Sequence, residues 1–150
     1  MLNIRAATET DVPTLACMNK CLIEDEGSRN PMSLAELQNR MGEWLRDEWQ
    51  IELFVDEDAA VGYAVYQFRR DVYELNKVVV YLRQLYIERD RRSRGLGSRA
   101  VKLLAQTRFP AGCRIEVDVL ASNPRGARFW SQVGFQPYCT TLWLQNQEMI

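Results

Sequence analysis

The sequence contains no histidine, and this absence excludes several kinds of catalytic and metal centre. Ser-His-Asp and Cys-His mechanisms need an imidazole as general base, so neither is open to this chain. The four cysteines form no Cys-x-x-Cys pair, and we therefore expect no bound metal, zinc included. An enzyme of this composition must use carboxylates, tyrosine, backbone dipoles or water for its chemistry.

The sequence also lacks a strong net charge and a long apolar run. Its 19 basic and 20 acidic residues nearly cancel, so no global field would draw the chain to nucleic acid or to a membrane surface. No uncharged run could span a bilayer, and the first residues have no apolar signal core. We therefore expect a cytoplasmic protein that binds neither nucleic acid nor membrane.

What the sequence does contain is a regular succession of apolar patterns over 150 residues, without repeats or linkers. This length predicts one domain over residues 1–150. The pattern order β-α-α-β-β-β-α-β-α-β predicts an α/β fold, in which a mixed sheet has helices on both faces. Strands are predicted at residues 4–7, 51–55, 61–68, 78–87, 115–120 and 139–144. Helices are predicted to begin near residues 10–11, 33, 95 and 123, and residues 24–31 are predicted to form a loop.

The most informative segment is LYIERDRRSRGLGSRA, residues 85–100, in which an apolar strand leads through a charged turn into glycines and an amphipathic helix. Glycines allow the backbone to approach a ligand closely, and the N–H groups at a helix N-terminus attract anions. Arg92 and Arg94 add positive charge to a protein that is otherwise nearly neutral. The segment therefore predicts a site for a ligand that carries a pyrophosphate group.

A dinucleotide is one ligand that fits this segment. Gly95, Gly97 and Ala100 match the G-x-G-x-x-G/A pattern of dinucleotide-binding folds. Asp118 lies about 20 residues further on, where a ribose-binding acid would be found. That pattern usually follows the first strand of a fold, whereas here it comes after more than half of the chain. A nicotinamide-dependent oxidoreductase is therefore the less supported alternative.

A different family matches more of the sequence. Residues 92–97, RSRGLG, resemble the Q/R-x-x-G-x-G/A signature of the GNAT superfamily, the Gcn5-related N-acetyltransferases. Residues 123–135, NPRGARFWSQVGF, are similar to the N…(F/L)Y…GF segment that follows in the same family. The two motifs occur in the right order, separated by a predicted helix and strand, and the predicted elements agree with the family along nearly the whole chain.

The resemblance implies a fold and a cofactor site. The expected fold is a single domain with a central, mostly antiparallel sheet of six or seven strands, splayed at the cofactor site and flanked by about four helices. The expected co-substrate is acetyl-CoA, with its pyrophosphate on the glycine turn and its pantetheine arm along the preceding strand. The residues implied to bind it are Leu85, Tyr86, Ile87, Arg92, Ser93, Arg94, Gly95, Leu96, Gly97, Ser98, Asn123 and Trp130.

The resemblance is weaker for catalytic residues. Trp130 stands where the family usually has the tyrosine that protonates the leaving thiolate. Indole N–H donates a hydrogen bond but is not a proton source, so we expect Trp130 to pack with Phe129 and Phe135. The role of the family's tyrosine is therefore not transferred to Trp130.

Other side chains are weak catalytic candidates. The acidic group Glu24, Asp25 and Glu26 could attract a cationic amine, and Glu24 or Glu26 could take its proton. Tyr81 shares a strand face with Arg83 and could line the acceptor pocket. Tyr138 is a further candidate, as a substitute acid for the thiolate.

The leading hypothesis for function is transfer of an acetyl group from acetyl-CoA to the amine of a small molecule, or of a protein or peptide, by direct attack on the thioester. A non-catalytic acyl-CoA-binding or regulatory module is the main alternative, and Trp130 favours it. The apolar residues 142–144 could leave a sheet edge that a second copy of the chain covers, which predicts a homodimer. The sequence does not specify the acceptor or the acyl chain length.

Overall fold

The computed structural model describes residues 1–148 as a mixed α/β fold with one five-stranded sheet and four α-helices, which confirms the predicted fold class. The strands are β1 (Leu2–Ala6), β2 (Gln50–Asp56), β3 (Ala59–Arg70), β4 (Val78–Ile87) and β5 (Arg114–Glu116). The helices are α1 (Val12–Glu26), α2 (Leu34–Arg46), α3 (Leu96–Thr107) and α4 (Pro124–Val133). Short 3-10 turns occur at Glu9–Asp11, Arg89–Arg94 and Asn146–Glu148. Within these residues no helix has the length and apolar character needed to cross a membrane.

The sheet has the order β1-β2-β3-β4-β5, and it is splayed on one side of β4. The first four strands are antiparallel, whereas β5 runs parallel to β4 and pairs only with Val79, Val80 and Tyr81. Beyond Tyr81 the described residues give β4 no partner on that side. The register against β3 shifts in the same region and leaves Arg83 as the extra residue of a bulge. Residues 82–87 of β4 therefore lack a strand partner on the side where β4 and β5 separate and a cleft opens.

Helices cover both faces of the sheet, because its strands carry apolar side chains on both faces. On one face, α1 and α2 bury Leu15, Leu22 and Met41 against Leu53 and Tyr63. On the other face, α3 buries a second cluster, which consists of Leu96, Ala100, Leu104, Phe54, Val80, Leu82 and Phe109 with their neighbours. Trp130 of α4 packs against the edge of this second cluster. The splayed end of β4 therefore lies between two rigid layers.

Gly62 fixes the position of the splayed end of β4. A Cβ atom at Gly62 would lie 2.1 Å from the carbonyl oxygen of Tyr86 and 2.9 Å from Cδ1 of Ile87. Neither distance is compatible with a side chain, so only glycine lets β3 and β4 approach this closely. This residue was not singled out by its sequence pattern.

Three predicted elements are corrected by the structure. The predicted strand at residues 139–144 is not a strand, and its Leu142 and Trp143 are 86% and 82% exposed. The predicted strand at residues 115–120 shortens to β5, because the chain leaves β4 after Glu116. The sheet therefore has five strands among residues 1–148, where six or seven were expected. The predicted loop at residues 24–31 begins late, because α1 continues to Glu26 and ends at Gly27, whose φ is +62°.

Candidate functional site

The glycine turn after β4 leads into a helix start that no side chain caps. Gly95 precedes the helix with a φ of +71°, a conformation that favours glycine, and no side chain caps the first turn. The N–H groups of Leu96, Gly97 and Ser98 therefore have no acceptor within the helix. A Cβ atom at Gly95 would meet nothing within 4 Å, so the space beside the turn is open to a ligand. This arrangement suits a phosphate group.

α4 packs tightly against the start of α3. A Cβ atom at Gly97 would lie 2.8 Å from Cε1 of Phe129, so this glycine also serves the contact between the two helices. The side chain of Asn123 accepts a hydrogen bond of 3.0 Å from the N–H of Gly126 and so caps α4. Its amide oxygen is therefore already engaged in the helix.

Trp130 has the aromatic neighbours that the sequence predicts. Its ring centroid lies 4.9 Å from that of Phe129 and 5.0 Å from that of Phe135, both in edge-to-face arrangements. Such pairs stabilise a cluster beyond the area that they bury. The contacts place Trp130 in a packing role beside the turn, while its role toward the ligand stays a prediction.

The arginines of the turn are held by Asp25 at the end of α1. Nε of Arg92 donates to the carbonyl of Ile87 at 2.7 Å, and its Nη2 pairs with Asp25. Arg89 also pairs with Asp25 at 2.7 Å and with Glu24 at 3.5 Å. Burial raises the pKa of Asp25, but the hydrogen bonds from Arg92 and Arg89 outweigh it and leave that pKa below its ordinary value. The acidic group expected to attract an amine is thus partly neutralised by these arginines, whereas Arg94 is exposed.

Glu26 differs from its two acidic neighbours. Its carboxylate has no hydrogen-bond or ion-pair partner within residues 1–148, although the side chain is half-buried. Burial, and then the charge of Asp25, raise the pKa of Glu26 above its ordinary value. The hydroxyl of Ser122 donates to the backbone carbonyl of Glu26 at 2.7 Å, which ties the end of α1 to the loop before α4. Glu26 therefore lies beside the cleft as a carboxylate suited to accept a proton.

The two tyrosine candidates lie in different places. Tyr81 donates to Oδ2 of Asp118 at 2.5 Å, at the point where β4 and β5 separate. Burial and this hydrogen bond raise the pKa of Tyr81 to about 12. Tyr138 is exposed and lies under Arg114, which pairs with Val79 at the other end of β4. Eight residues of strand, about 26 Å, separate Val79 from Ile87, so Tyr138 does not meet the glycine turn.

Sequence reasoning missed several residues of the cleft on the α1 and α2 side. The hydroxyl of Tyr63 donates to Oε1 of Gln84 at 2.7 Å, and Nη2 of Arg40 donates to Oδ1 of Asn19 at 3.0 Å. The one available signal was the spacing of Arg40 and Trp44, four residues apart on a helix, whose side chains stack at 4.4 Å. The remaining contacts join residues far apart in the sequence, and no local pattern encodes them.

A separate surface depression lies away from this cleft. It measures about 740 Å³ and is lined by the β3–β4 connection, the residues before β5, and Tyr138. It therefore contacts neither the glycine turn nor Glu26. Within residues 1–148 no group of three or more acidic or cysteine side chains is placed to hold a metal ion.

Comparisons with known proteins cover most of the chain. Residues 19–135 match the model of the acetyltransferase (GNAT) family. No curated protein matches the sequence as a relative. Three solved structures illustrate what the fold is similar to. An acetyltransferase of Trypanosoma brucei is 20% identical, with 97% of this chain and 99% of that chain covered and a TM-score of 0.69.

The other two structures were solved with a ligand. A predicted acetyltransferase of Clostridium acetobutylicum with acetyl-CoA is 18% identical, with 99% of this chain and 98% of that chain covered and a TM-score of 0.74. The aminoglycoside N-acetyltransferase AAC(6')-Iy in complex with CoA is 17% identical, with 98% of this chain and 95% of that chain covered and a TM-score of 0.74. At these identities the likeness establishes a shared fold.

Proposed function

This chain belongs to the GNAT acetyltransferase family, and from that premise we propose that it transfers an acetyl group from acetyl-CoA to an amine. The acceptor is a small molecule, or an amine of a protein or peptide. The proposal rests on the splayed end of β4, which leads through the 3-10 turn at Arg89–Arg94 into an uncapped helix start. One segment thus offers free backbone groups for an extended arm and an anion site for a pyrophosphate.

The chain's own groups fit acetyl-CoA. The turn provides the N–H groups of Leu96, Gly97 and Ser98 with open space beside Gly95. Arg92 and Arg94 contribute positive charge, and the backbone groups of Leu85 and the N–H of Ile87 have no strand partner on the β5 side. The carbonyl of Ile87 accepts from Arg92, and the carbonyl of Tyr86 points toward β3. Acetyl-CoA supplies an activated thioester, whose carbonyl a backbone N–H of this segment would polarise.

Glu26 is the group that we assign to proton removal. A primary amine with a pKa of about 10.4 is almost wholly protonated at neutral pH and must lose a proton before it attacks the thioester. A carboxylate with a raised pKa accepts that proton, directly or through water, more readily than an ordinary surface carboxylate. The leaving thiolate needs no strong acid, because a thiol with a pKa of about 8.5 leaves readily as the thiolate. We assign no proton transfer to Tyr81, whose hydroxyl donates to Asp118, or to Trp130, which packs against Phe129 and Phe135.

An assay of thiol release tests the proposal. Purified protein would be incubated with acetyl-CoA and a panel of amines, and release of CoA would be followed with a thiol reagent. Amine-dependent release with formation of the N-acetyl product supports the proposal. Absence of release with every amine, together with tight acetyl-CoA binding, would support the second candidate instead.

The second candidate is a non-catalytic acyl-CoA-binding module, and Trp130 is the observation that favours it. The family's usual acid is missing at that position, and Tyr138 lies at the far end of β4. The nicotinamide alternative loses its support, because the sheet is mostly antiparallel and the glycine turn follows its fourth strand. Binding of NADH in preference to acetyl-CoA would reverse this conclusion.

We also propose that the protein forms a homodimer and works in the cytoplasm, where acetyl-CoA is available. Leu142, Trp143 and Leu144 are 86%, 82% and 55% exposed, and β5 has a strand partner on one side only within residues 1–148. An exposed apolar segment and an open sheet edge each favour pairing with a second copy.

A further inference from the structure

Arginine and tryptophan side chains are stacked on the sheet face that α1 and α2 cover. The arginine–tryptophan cluster consists of Arg40, Arg83, Trp44 and Trp49. The guanidinium carbon of Arg83 lies 4.6 Å from the ring centroid of Trp44 and 5.1 Å from that of Trp49. The guanidinium carbon of Arg40 lies 4.4 Å from Trp44. Two cations therefore share one indole ring.

The cations of the cluster lack counter-ions. No carboxylate within residues 1–148 forms an ion pair with Arg40 or Arg83, and Nε of Arg40 is buried without an acceptor. Asn19, which accepts from Arg40 through Oδ1, is fully buried, and its Nδ2 also lacks an acceptor. Burial, and then the charge of Arg83, lower the pKa of Arg40, as expected for a cation without a partner. Buried donors of this kind require an acceptor, and an anion is the acceptor that they fit best.

The cluster and Glu26 lie on the same face of the sheet, beside α1. Asn19, which accepts from Arg40, and Glu26 are seven residues apart on one face of α1, a rise of about 10 Å along the helix. Opposite α1, Arg83 is the bulged residue of β4, two positions before Leu85. Next to Arg83, Gln84 accepts from the hydroxyl of Tyr63, whose pKa is raised by burial and by Glu26 and lowered by Arg40. One end of the cleft is therefore cationic and the other carries the proposed base.

We propose that the cluster binds an anionic group of the acceptor, so that the substrate is a small amine with a carboxylate or phosphate at the far end of its chain. This inference rests on the proposed acyl transfer and specifies its acceptor. The separation of about 10 Å favours several carbon atoms between the amine and the anion, and it disfavours an α-amino acid. The indole rings of Trp44 and Trp49 would contact the carbon chain.

Matched acceptors test the inference. 6-Aminohexanoate and 6-aminohexyl phosphate carry the anion, hexylamine lacks it, and glycine carries it next to the amine. We expect kcat/KM to be about tenfold or more higher for at least one of the first two than for hexylamine, since a charge-assisted hydrogen bond is gained. Hexylamine or glycine as the better acceptor would overturn the inference, while leaving the proposed acyl transfer intact.

Arg83→Met assigns the effect to the cluster. The exposed side chain keeps its apolar stem over Trp44 but loses its charge, so the fold should persist. We expect the variant to raise KM for the anionic acceptor about tenfold and to leave KM for hexylamine unchanged. Arg46→Met, on the same helix as Arg40 but paired with Glu9, is the matched control and should behave as the unaltered protein. Equal loss in both variants would contradict the assignment.

A binding measurement keeps the inference testable without turnover. Calorimetry with CoA present would compare the products 6-acetamidohexanoate and 6-acetamidohexyl phosphate with N-hexylacetamide. We expect at least one anionic product to bind about tenfold more tightly than N-hexylacetamide, and Arg83→Met to abolish the difference. Equal affinity of all three products would overturn the inference. Failure of acetyl-CoA to bind would instead contradict the proposed function.

Discussion

At the scale of single residues, three adjacent acids at the end of α1 have three different environments. Asp25 is held by Arg89 and Arg92, Glu24 is exposed beside Arg89, and Glu26 is half-buried without a cation. Sequence spacing made Glu24 and Glu26 equivalent candidates. What separates them is a set of contacts with arginines more than 60 residues away, together with burial.

The unpaired carboxylate of Glu26 predicts a pH effect on stability. Because its folded-state pKa is raised, folding favours the neutral acid, and the ionised form destabilises the native state as the pH rises through that pKa. Glu26→Gln should therefore raise Tm at pH 7, and the gain should disappear toward pH 4. Thermal melts across this range measure it, with Glu43→Gln on the exposed side of α2 as the control. A gain that grows toward low pH would contradict the assigned environment.

The same substitution predicts a loss of activity. Glu26→Gln should lower kcat by about 100-fold, the usual range for a general base, with acetyl-CoA affinity unchanged. In the unaltered protein, kcat/KM should fall on the acid side as Glu26 becomes protonated, with an apparent pKa above the ordinary glutamate value. A variant that keeps the same pH profile and rate would remove Glu26 from proton transfer.

Trp130 gives a third prediction at the scale of single residues. If the ring packs without proton chemistry, Trp130→Phe should keep most activity, because edge-to-face contacts with Phe129 and Phe135 persist. Trp130→Ala should reduce the free energy of unfolding by about 2 kcal/mol through the cavity left behind. Denaturant unfolding and thiol release measure the two effects. A folded Phe variant that binds acetyl-CoA but turns over tenfold more slowly would show that the indole N–H contributes.

At the scale of elements, periodicity predicted α1, α2, α3 and strands β2 to β4, because each of them buries an apolar face that local spacing encodes. The helix α4 has no fully buried residue and was predicted from the capping residue at its start. Periodicity failed for residues 139–144, since a strand also needs a partner, and pairing is not a local property. It overestimated β5 for the same reason. The turn and Trp130's neighbours were predicted from short motifs, whereas the arginine–tryptophan cluster depends on tertiary packing of α2 against β4.

The close contact at Gly62 gives a prediction about the pairing of β3 with β4. Gly62→Ala would put a Cβ atom 2.1 Å from the carbonyl oxygen of Tyr86, so β4 must shift away from β3 and into the cleft. We expect a loss of about 2–4 kcal/mol in the free energy of unfolding and weaker acetyl-CoA binding. Gly42→Ala is the control, because its Cβ would meet only the flexible end of Arg46 at 3.4 Å, and alanine favours helix. A Gly62→Ala protein with normal stability would show that the two strands are not locked together here.

At the scale of the whole molecule, exposed apolar side chains occur in two stretches, residues 68–78 and the carboxyl end of the described chain. Leu142 and Trp143 are among its most exposed large apolar side chains. We expect light scattering to give the mass of two chains, and Trp143→Asp to give the mass of one. Leu34→Ser, at an exposed position on α2, should leave the dimer intact. A monomer at micromolar concentration in the unaltered protein would contradict the proposed homodimer.

The link between Asp25 and Arg92 has a consequence for the order in which substrates bind. A pyrophosphate that takes Arg92 would leave Asp25 paired with Arg89 alone, and the less neutralised carboxylate beside Glu26 would push the pKa of Glu26 higher still. The base would thus reach full strength only after acetyl-CoA has bound. Initial-rate patterns should accordingly be those of a compulsory-order mechanism with acetyl-CoA first, and CoA should be a competitive inhibitor against acetyl-CoA alone. Asp25→Asn should relax that order toward random entry of the two substrates.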